Sequence, residues 1–264
     1  MSLGKASEAA LEHMRSGGKR VRGRLALSTA SRLRLSQMEA ISLAACAELI
    51  HNASLIHDDI QDHAETRRNV TTTWKRYGSD VAICAGDLLI SAAYMALADR
   101  AVRETPSLIR QMHLRTAEVI SGQCRDISFN ALKLDSLEGY KRIAISKSAP
   151  LLALPIELAL IEAGRADACA HVDRAASDFA LAYQIADDLD DVEVDAIAGR
   201  PNIVSILSAN HDFSIAVIKA RDLAAHYFNS ARSLSANLPE GCGQLLADYA
   251  RTSALKLNTL EAVA

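Results

Sequence analysis

The alternation of apolar and polar positions is helical along most of the chain. Over residues 37–60, QMEAISLAACAELIHNASLIHDDI, apolar residues occupy nearly every face of a 3.6-residue period, which predicts a central helix enclosed by neighbours. Similar long patterns cover about 79–101, 107–129, 136–164 and 168–191, with breaks at Gly78, Thr105-Pro106, Asp135-Ser136 and Gly164. After Asp191 the pattern weakens through VEVDAIAGRPNIVSILSANHD, which reads as irregular, and helical spacing resumes near 213. The most apolar run, PLLALPIELALIEAG at 150–164, is too short to span a bilayer and contains Glu157 and Glu162. A buried helix is expected there, and no transmembrane segment.

Composition sharpens this picture. Half of the 264 residues are hydrophobic, and 12 glycines with 5 prolines are too few turn formers for a many-stranded β fold. No Ser/Gly/Pro-rich linker and no repeat of 20–50 residues divides the chain. The expected fold is all-α, a single-domain bundle of long helices over 1–264. The formal charge of -3 is spread along the chain, so no bulk field favours nucleic acid or an anionic membrane. The five cysteines, 46, 84, 124, 169 and 242, lie too far apart for CxxC spacing and predict reduced thiols. The N-terminus carries no basic-then-apolar signal pattern, and a cytoplasmic location is expected.

Two acidic clusters interrupt otherwise apolar helices. In DDIQD, Asp58 and Asp62 share a helical face, with Asp59 about 100° round. DDLDD repeats the geometry with Asp187 and Asp191, and Asp188 beside them. Two carboxylates about 5 Å apart repel by roughly 3 kcal/mol at an effective dielectric near 20, a cost that divalent cations remove. Oxygen-only ligands that leave coordination positions open suit Mg²⁺ shared with substrate phosphates. A single cluster of this kind is more often a solvated helix end; two of them, each following an apolar helix, are not.

Basic residues come in two matching groups. SGGKRVRGR (16–24) places Gly17 and Gly18 before Lys19, Arg20, Arg22 and Arg24, where glycine allows close approach to an anion and a following helix start adds N–H donors. Arg67 and Arg68 form the second group.

In this order the motifs resemble the all-trans polyprenyl diphosphate synthases, which join an allylic diphosphate to isopentenyl diphosphate. GGKRVR is similar to the family's GGKxxR element, DDIQD to its first aspartate-rich motif and RR at 67–68 to its arginine pair. ISGQCRD (120–126) resembles its GQxxD element, SKS (146–148) its Lys-Thr position and YQIADDLDD its second aspartate-rich motif, so the likeness covers about residues 16–200. It implies an isoprenoid synthase-like bundle around a central cavity, acting as a homodimer.

The resemblance also implies roles. Lys19, Arg22, His51 and Arg68 would hold the diphosphate of isopentenyl diphosphate, and Arg67 and Lys147 that of the allylic substrate. Asp58, Asp62 and Asp187 would bind several Mg²⁺ ions, for which Mn²⁺ could substitute. Asp59, Asp188 and Asp191 would support the metal and its water, with Asp188 counted among the catalytic residues. Gln123 and Gln184 would be polar wall residues near the substrates, and His57, Asp126 and Asp190 structural partners. Ala53 and Ser54, where members that stop at fifteen carbons carry bulky aromatics, would be the chain-length gate. Both are small here, which implies a product of about twenty carbons or somewhat more.

The chain departs from the family in one place. Members carry a Gly-Lys and a further lysine after the second motif; here Gly199-Arg200 is followed at once by PNIVSIL, so Arg200 stands near the first lysine and the second has no obvious counterpart. Two other readings remain open. A terpene cyclase or head-to-head condensing enzyme would use similar acidic helices, but it needs no second diphosphate site, and 4% aromatic content leaves few π faces to steer a cyclising cation. A non-catalytic regulatory subunit would tolerate the missing lysine but would not need two intact aspartate motifs.

Overall fold

The computed structural model describes residues 4–98, 102–132 and 136–259, without the side chains of 128–132, 198, 258 and 259. The expected break at Asp135 and the end of the 79–101 pattern lie outside these residues. The elements are α1 (Lys5–Arg15), α2 (Val21–Arg32), α3 (Gln37–Gln61), a hairpin of β1 (Thr66–Arg67) and β2 (Val70–Thr71), α4 (Thr73–Tyr77), α5 (Ser79–Leu97) and α6 (Thr105–Leu132). There follow α7 (Leu137–Glu162), α8 (Cys169–Asp190), α9 (Val192–Ala198), α10 (Ile203–Ser208), α11 (Phe213–Ala236) and α12 (Gln244–Thr259). The fold is all-α, as its periodicity predicts.

α3 starts with a reciprocal cap: Ser36 Oγ accepts the Glu39 N–H, and a Glu39 carboxylate oxygen accepts the Ser36 N–H at 2.6 Å. It packs between α2, α5 and α7. α7 is enclosed still more completely, because every residue from Ala149 to Glu162 is buried. The apolar run at 150–164 is therefore core. Pro150 and Pro155 lie inside α7. A proline removes the N–H that would bond four residues back, which at Pro150 is the bond to the Ser146 carbonyl. Gly122 of α6 approaches at this level: a Cβ there would come within 2.6 Å of the Ser146 carbonyl and 2.9 Å of the Lys147 nitrogen. Only glycine lets α6 lie so close to the turn that carries Lys147.

The break expected at Thr105-Pro106 falls at the start of α6, where a missing N–H in the first turn costs nothing. One expectation changes. The segment after Asp191 is not irregular; it forms α9 and α10, too short for periodicity to register. The first residues also form a helix, α1, which buries only Ala9, Ala10 and His13 and so gives little hydrophobic signal.

Candidate active site

Two cavities open beside each other, and Gln184 of α8 lines both. The smaller, about 360 Å³, is acidic: Asp62 of α3, Asp126 of α6 and Asp187, Asp188, Asp191 and Asp195 at the end of α8 and beyond line it. Its cations are Lys147 of α7 and Arg200. Asp58 lies one turn before Asp62 on α3 and is close enough to Lys147 to feel its charge. Burial, and then the neighbouring Asp62, raise the Asp58 carboxyl above its ordinary range, although Lys147 opposes this. Asp187 is raised by burial and then by Asp191, Asp190 and Asp195. Asp188 is raised mainly by burial, against hydrogen bonds from Gln184 and the Ile203 N–H. Lys147 Nζ donates to Asp126 Oδ2 at 2.9 Å. Burial disfavours its charge, but Asp126, then Asp58 and Asp62, more than offset this and lift its pKa.

The acid excess at this cavity is what a cation would relieve. Among the described residues no three carboxylate, histidine or cysteine side chains converge tightly enough to enclose a metal on their own. Oxygen donors on two helices around an open cavity fit ions that complete their shells with phosphate oxygens and water. Asp62 and Asp187 line this cavity, with Asp58 one turn before Asp62, and these are the oxygen donors such ions would find.

The second cavity, about 750 Å³, is basic at one end. Lys19, Arg22, His51 and Arg68, far apart in sequence, line it together beside Gly17 and Gly18. Glu48 of α3 explains the placement of the first two: one of its oxygens accepts the Gly23 N–H at 2.8 Å and the other lies 3.6 Å from Arg20, which ties the start of α2 to α3. Burial lowers the Arg22 pKa to about 10, and its Nε is buried with no partner among the described residues. His51 is pushed well below its usual value by burial and then by Arg22, Arg68, Arg67 and His13, so it is neutral. Leu152 and Phe179 supply apolar wall, and α12 adds Thr252 and Lys256 to the lining.

The arginine pair splits. Arg68 and Asn69 both have positive φ, 55° and 62°, the backbone of a tight two-residue hairpin turn. Arg68 Nη1 reaches back to the Gly17 carbonyl at 2.6 Å. Arg67, facing the other way as strand neighbours do, donates from Nε to Asp59 Oδ1 at 2.7 Å. The resemblance implies Arg67 at the allylic diphosphate and Asp59 beside the metals; here the two pair with each other, and Arg67, like Lys147, is near enough to Asp58 to oppose the rise in its pKa. Asp59 is buried at 1% exposure, and the pair lines a separate small cavity with His13.

The remaining expected residues are also located. Gln184 Nε2 donates to Asp188 Oδ1 at 2.8 Å, and buried Gln123 has no partner for either amide atom among the described residues. His57 packs onto Gly86 of α5, where any Cβ would overlap its ring. Ser54 is half-buried one turn below Asp58, with its hydroxyl on the His51 carbonyl at 2.8 Å. Ala53 points instead into the packing with Ala9 and Ala10 of α1 and Ala82, Ala85 and Leu89 of α5. Neither lines the two large cavities. Glu48, Asp195 and Asn202 were not singled out by sequence. The Asp187, Asp191, Asp195 spacing was the available signal for the second.

A sequence model described as Polyprenyl synthetase matches residues 5–224. A geranylgeranyl pyrophosphate synthase from Capsicum annuum is 31% identical over 230 residues, covering 82% of this chain and 62% of its own. A (2E,6E)-farnesyl diphosphate synthase from Mycobacterium bovis is 33% identical over 187 residues, covering 70% and 51%. The chain thus spans about half to three fifths of these relatives. A geranylgeranyl pyrophosphate synthetase structure from the archaeon Geoglobus acetivorans superposes with a TM-score of 0.85 at 24% identity, covering 96% of this chain and 93% of that one, which shows the shared fold. On the extent of the family match, together with the ordered motifs and the fold, this chain belongs to the polyprenyl synthetase family.

Proposed function

We propose that the protein, acting as one helical domain, is a Mg²⁺-dependent prenyltransferase. It would condense isopentenyl diphosphate with an allylic diphosphate to give an all-trans polyprenyl diphosphate of about twenty carbons. The observation that carries this reading is the pair of adjoining cavities, one rich in carboxylates and one in cations, separated by Gln184.

The allylic diphosphate occupies the acidic cavity, with Lys147 donating charge-assisted hydrogen bonds to it. Asp58, Asp62 and Asp187 would hold Mg²⁺, which would supply neutralisation of the charge that grows on the diphosphate as its carbon–oxygen bond breaks. Lys19, Arg22, His51 and Arg68 hold the second diphosphate, so that the isopentenyl double bond is oriented towards the allylic cation. His51 contributes an N–H donor, while the arginines and the lysine contribute charge. The apolar wall keeps water from the cation, and the departing diphosphate takes the proton lost as the new double bond forms.

The small, half-buried Ser54 one turn before Asp58 supports passage of a growing chain there, whereas Ala53 is packed against α1 and α5. A homodimer is supported by α5, an apolar helix only 33% buried in the single chain, with Met95 73% exposed, and by exposed Leu114, Ile120 and Ile127 on α6. α5 and α7 are both long and apolar enough to cross a membrane, but α7 is 72% buried. The five cysteines form no disulfide among the described residues, which supports a reducing, cytoplasmic setting.

The test is incubation with Mg²⁺, isopentenyl diphosphate and each allylic diphosphate in turn. Elongated products that need both substrates are expected. Hydrocarbon released from an allylic substrate alone, or binding without turnover, would overturn the reading.

A further inference from the structure

Beyond the aspartates of the second motif, the helical register continues across Asp191: its N–H bonds the Asp187 carbonyl at 3.0 Å, and the Asp195 N–H bonds the Asp191 carbonyl at 2.8 Å. Asp195 therefore faces the same cavity as Asp187 and Asp191. It differs from them in being 8% exposed and in having both carboxylate oxygens engaged. Oδ1 forms an ion pair with Arg200, 2.9 Å from its Nε, and Oδ2 accepts from Asn202 Nδ2 at 2.9 Å. Asn202 is fully buried, and its Nδ2 also donates to the Asp188 carbonyl at 2.7 Å. The next N–H, of Ile203, donates to Asp188 Oδ2 at 2.8 Å.

We propose that Asp195 is a positioning residue, which holds Arg200 in the cavity wall facing the diphosphate and anchors it, through Asn202, to the helix end that carries Asp188. This rests on the proposed reading of the acidic cavity as an allylic diphosphate site. The loop is built for a fixed arginine. Gly199 takes the left-handed conformation at φ 66°, the Arg200 N–H bonds the Asp195 carbonyl at 2.9 Å, and Pro201 restricts Arg200 to extended backbone. The Arg200 side chain is 58% exposed and would otherwise sample many rotamers. The ion pair keeps the guanidinium beside Asp195 before a ligand arrives, and a planar fork can meet two phosphate oxygens at once. One carboxylate thus joins the acidic and basic parts of the cavity wall.

The experiment measures binding of inorganic diphosphate with Mg²⁺ by calorimetry, and the Michaelis constants of both substrates, for Asp195→Asn, Arg200→Ala, Arg200→Lys and the Asp195→Asn/Arg200→Ala double variant. Arg200→Ala should weaken diphosphate binding about 30-fold, the loss expected for a charged contact. Asp195→Asn should weaken it about 5-fold, and the double variant should be no weaker than Arg200→Ala within about twofold, because the two act as one unit. The isopentenyl constant should stay within about twofold throughout. Arg200→Lys keeps the charge but not the Nε contact and should lose about as much as Asp195→Asn, which gives a test even where that variant folds poorly. Multiplying losses in the double variant, or equal effects on both substrates, would overturn the inference. Because diphosphate binding needs no turnover, the expected coupling in a protein that makes no elongated product would overturn the condensation reading and leave the Asp195 assignment standing.

Discussion

The guanidinium of Arg68 occupies the space in which a Cβ on Gly18 would have to sit. The two residues meet because Gly18 has φ 123° while Arg68 reaches back to the Gly17 carbonyl from a left-handed turn. Gly18→Ala should therefore displace Arg68 as well as strain its own backbone, and raise the Michaelis constant for isopentenyl diphosphate roughly tenfold, about 1.4 kcal/mol. The allylic constant should change far less. Steady-state kinetics with each substrate varied in turn checks this, and an equal rise in both constants would contradict it.

Asp58 and Asp187 carry raised pKa values because burial and neighbouring acids oppose their charges. Asp58→Ala and Asp187→Ala should each lower turnover by roughly 10³-fold, since each removes a ligand for the charge-neutralising ions. The same changes relieve repulsion in the metal-free protein, so its melting temperature should not fall. Calorimetric melting without metal, beside turnover at saturating Mg²⁺, separates the two effects. A variant near the wild-type rate would contradict the two-cluster site.

Ser54 and Ala53 differ in what lies beyond them. Ser54→Phe should narrow the space one turn below Asp58 and shorten the main product by one isoprene unit. Ala53→Phe should instead wedge α3 from α5, where Ala82 and Ala85 leave no room, and cost about 1–3 kcal/mol of stability. Chromatography of dephosphorylated products and thermal melting would distinguish these outcomes. An unchanged length distribution in Ser54→Phe would place the gate elsewhere.

His13 is buried, and burial first, then Arg67 and Arg68, lowers its pKa from 6.5 to about 4. Because the unfolded chain binds this proton more readily, the stability associated with a neutral His13 is whole above pH 6.5 and is lost as pH falls towards 4. The loss is on the order of 3 kcal/mol when complete. Asp58, Asp187 and Asp188, raised in the fold, act oppositely above their ordinary range, so the informative quantity is the difference between variant and wild type. His13→Gln should flatten the acid limb of urea midpoint against pH between these values; parallel curves would contradict it.

Much of the site is legible in sequence because its chemistry is dense: DDIQD, DDLDD and GGKRVR each place several charged groups within one or two turns. The long helices α3 and α7 are equally legible, since burial on nearly all faces leaves an unbroken apolar record. What escapes has a different origin. α1 packs through alanines, which give weak periodicity. α10 is fixed by Asn202 and by the hydrogen bonds that Asp188 accepts. Arg67 and Arg68 are identical neighbours in sequence, and only the positive φ at Arg68 and Asn69 sends one to Asp59 and the other to Gly17.

Gln184 forms part of both cavity walls, with its amide nitrogen committed to Asp188. The two diphosphates would then be not independent tenants but thermodynamically linked ones. Whatever factor the first contributes to the affinity of the second must be returned unchanged in the opposite order of addition. Shifting this amide would therefore alter the synergy between the substrates even where each one's affinity alone is preserved.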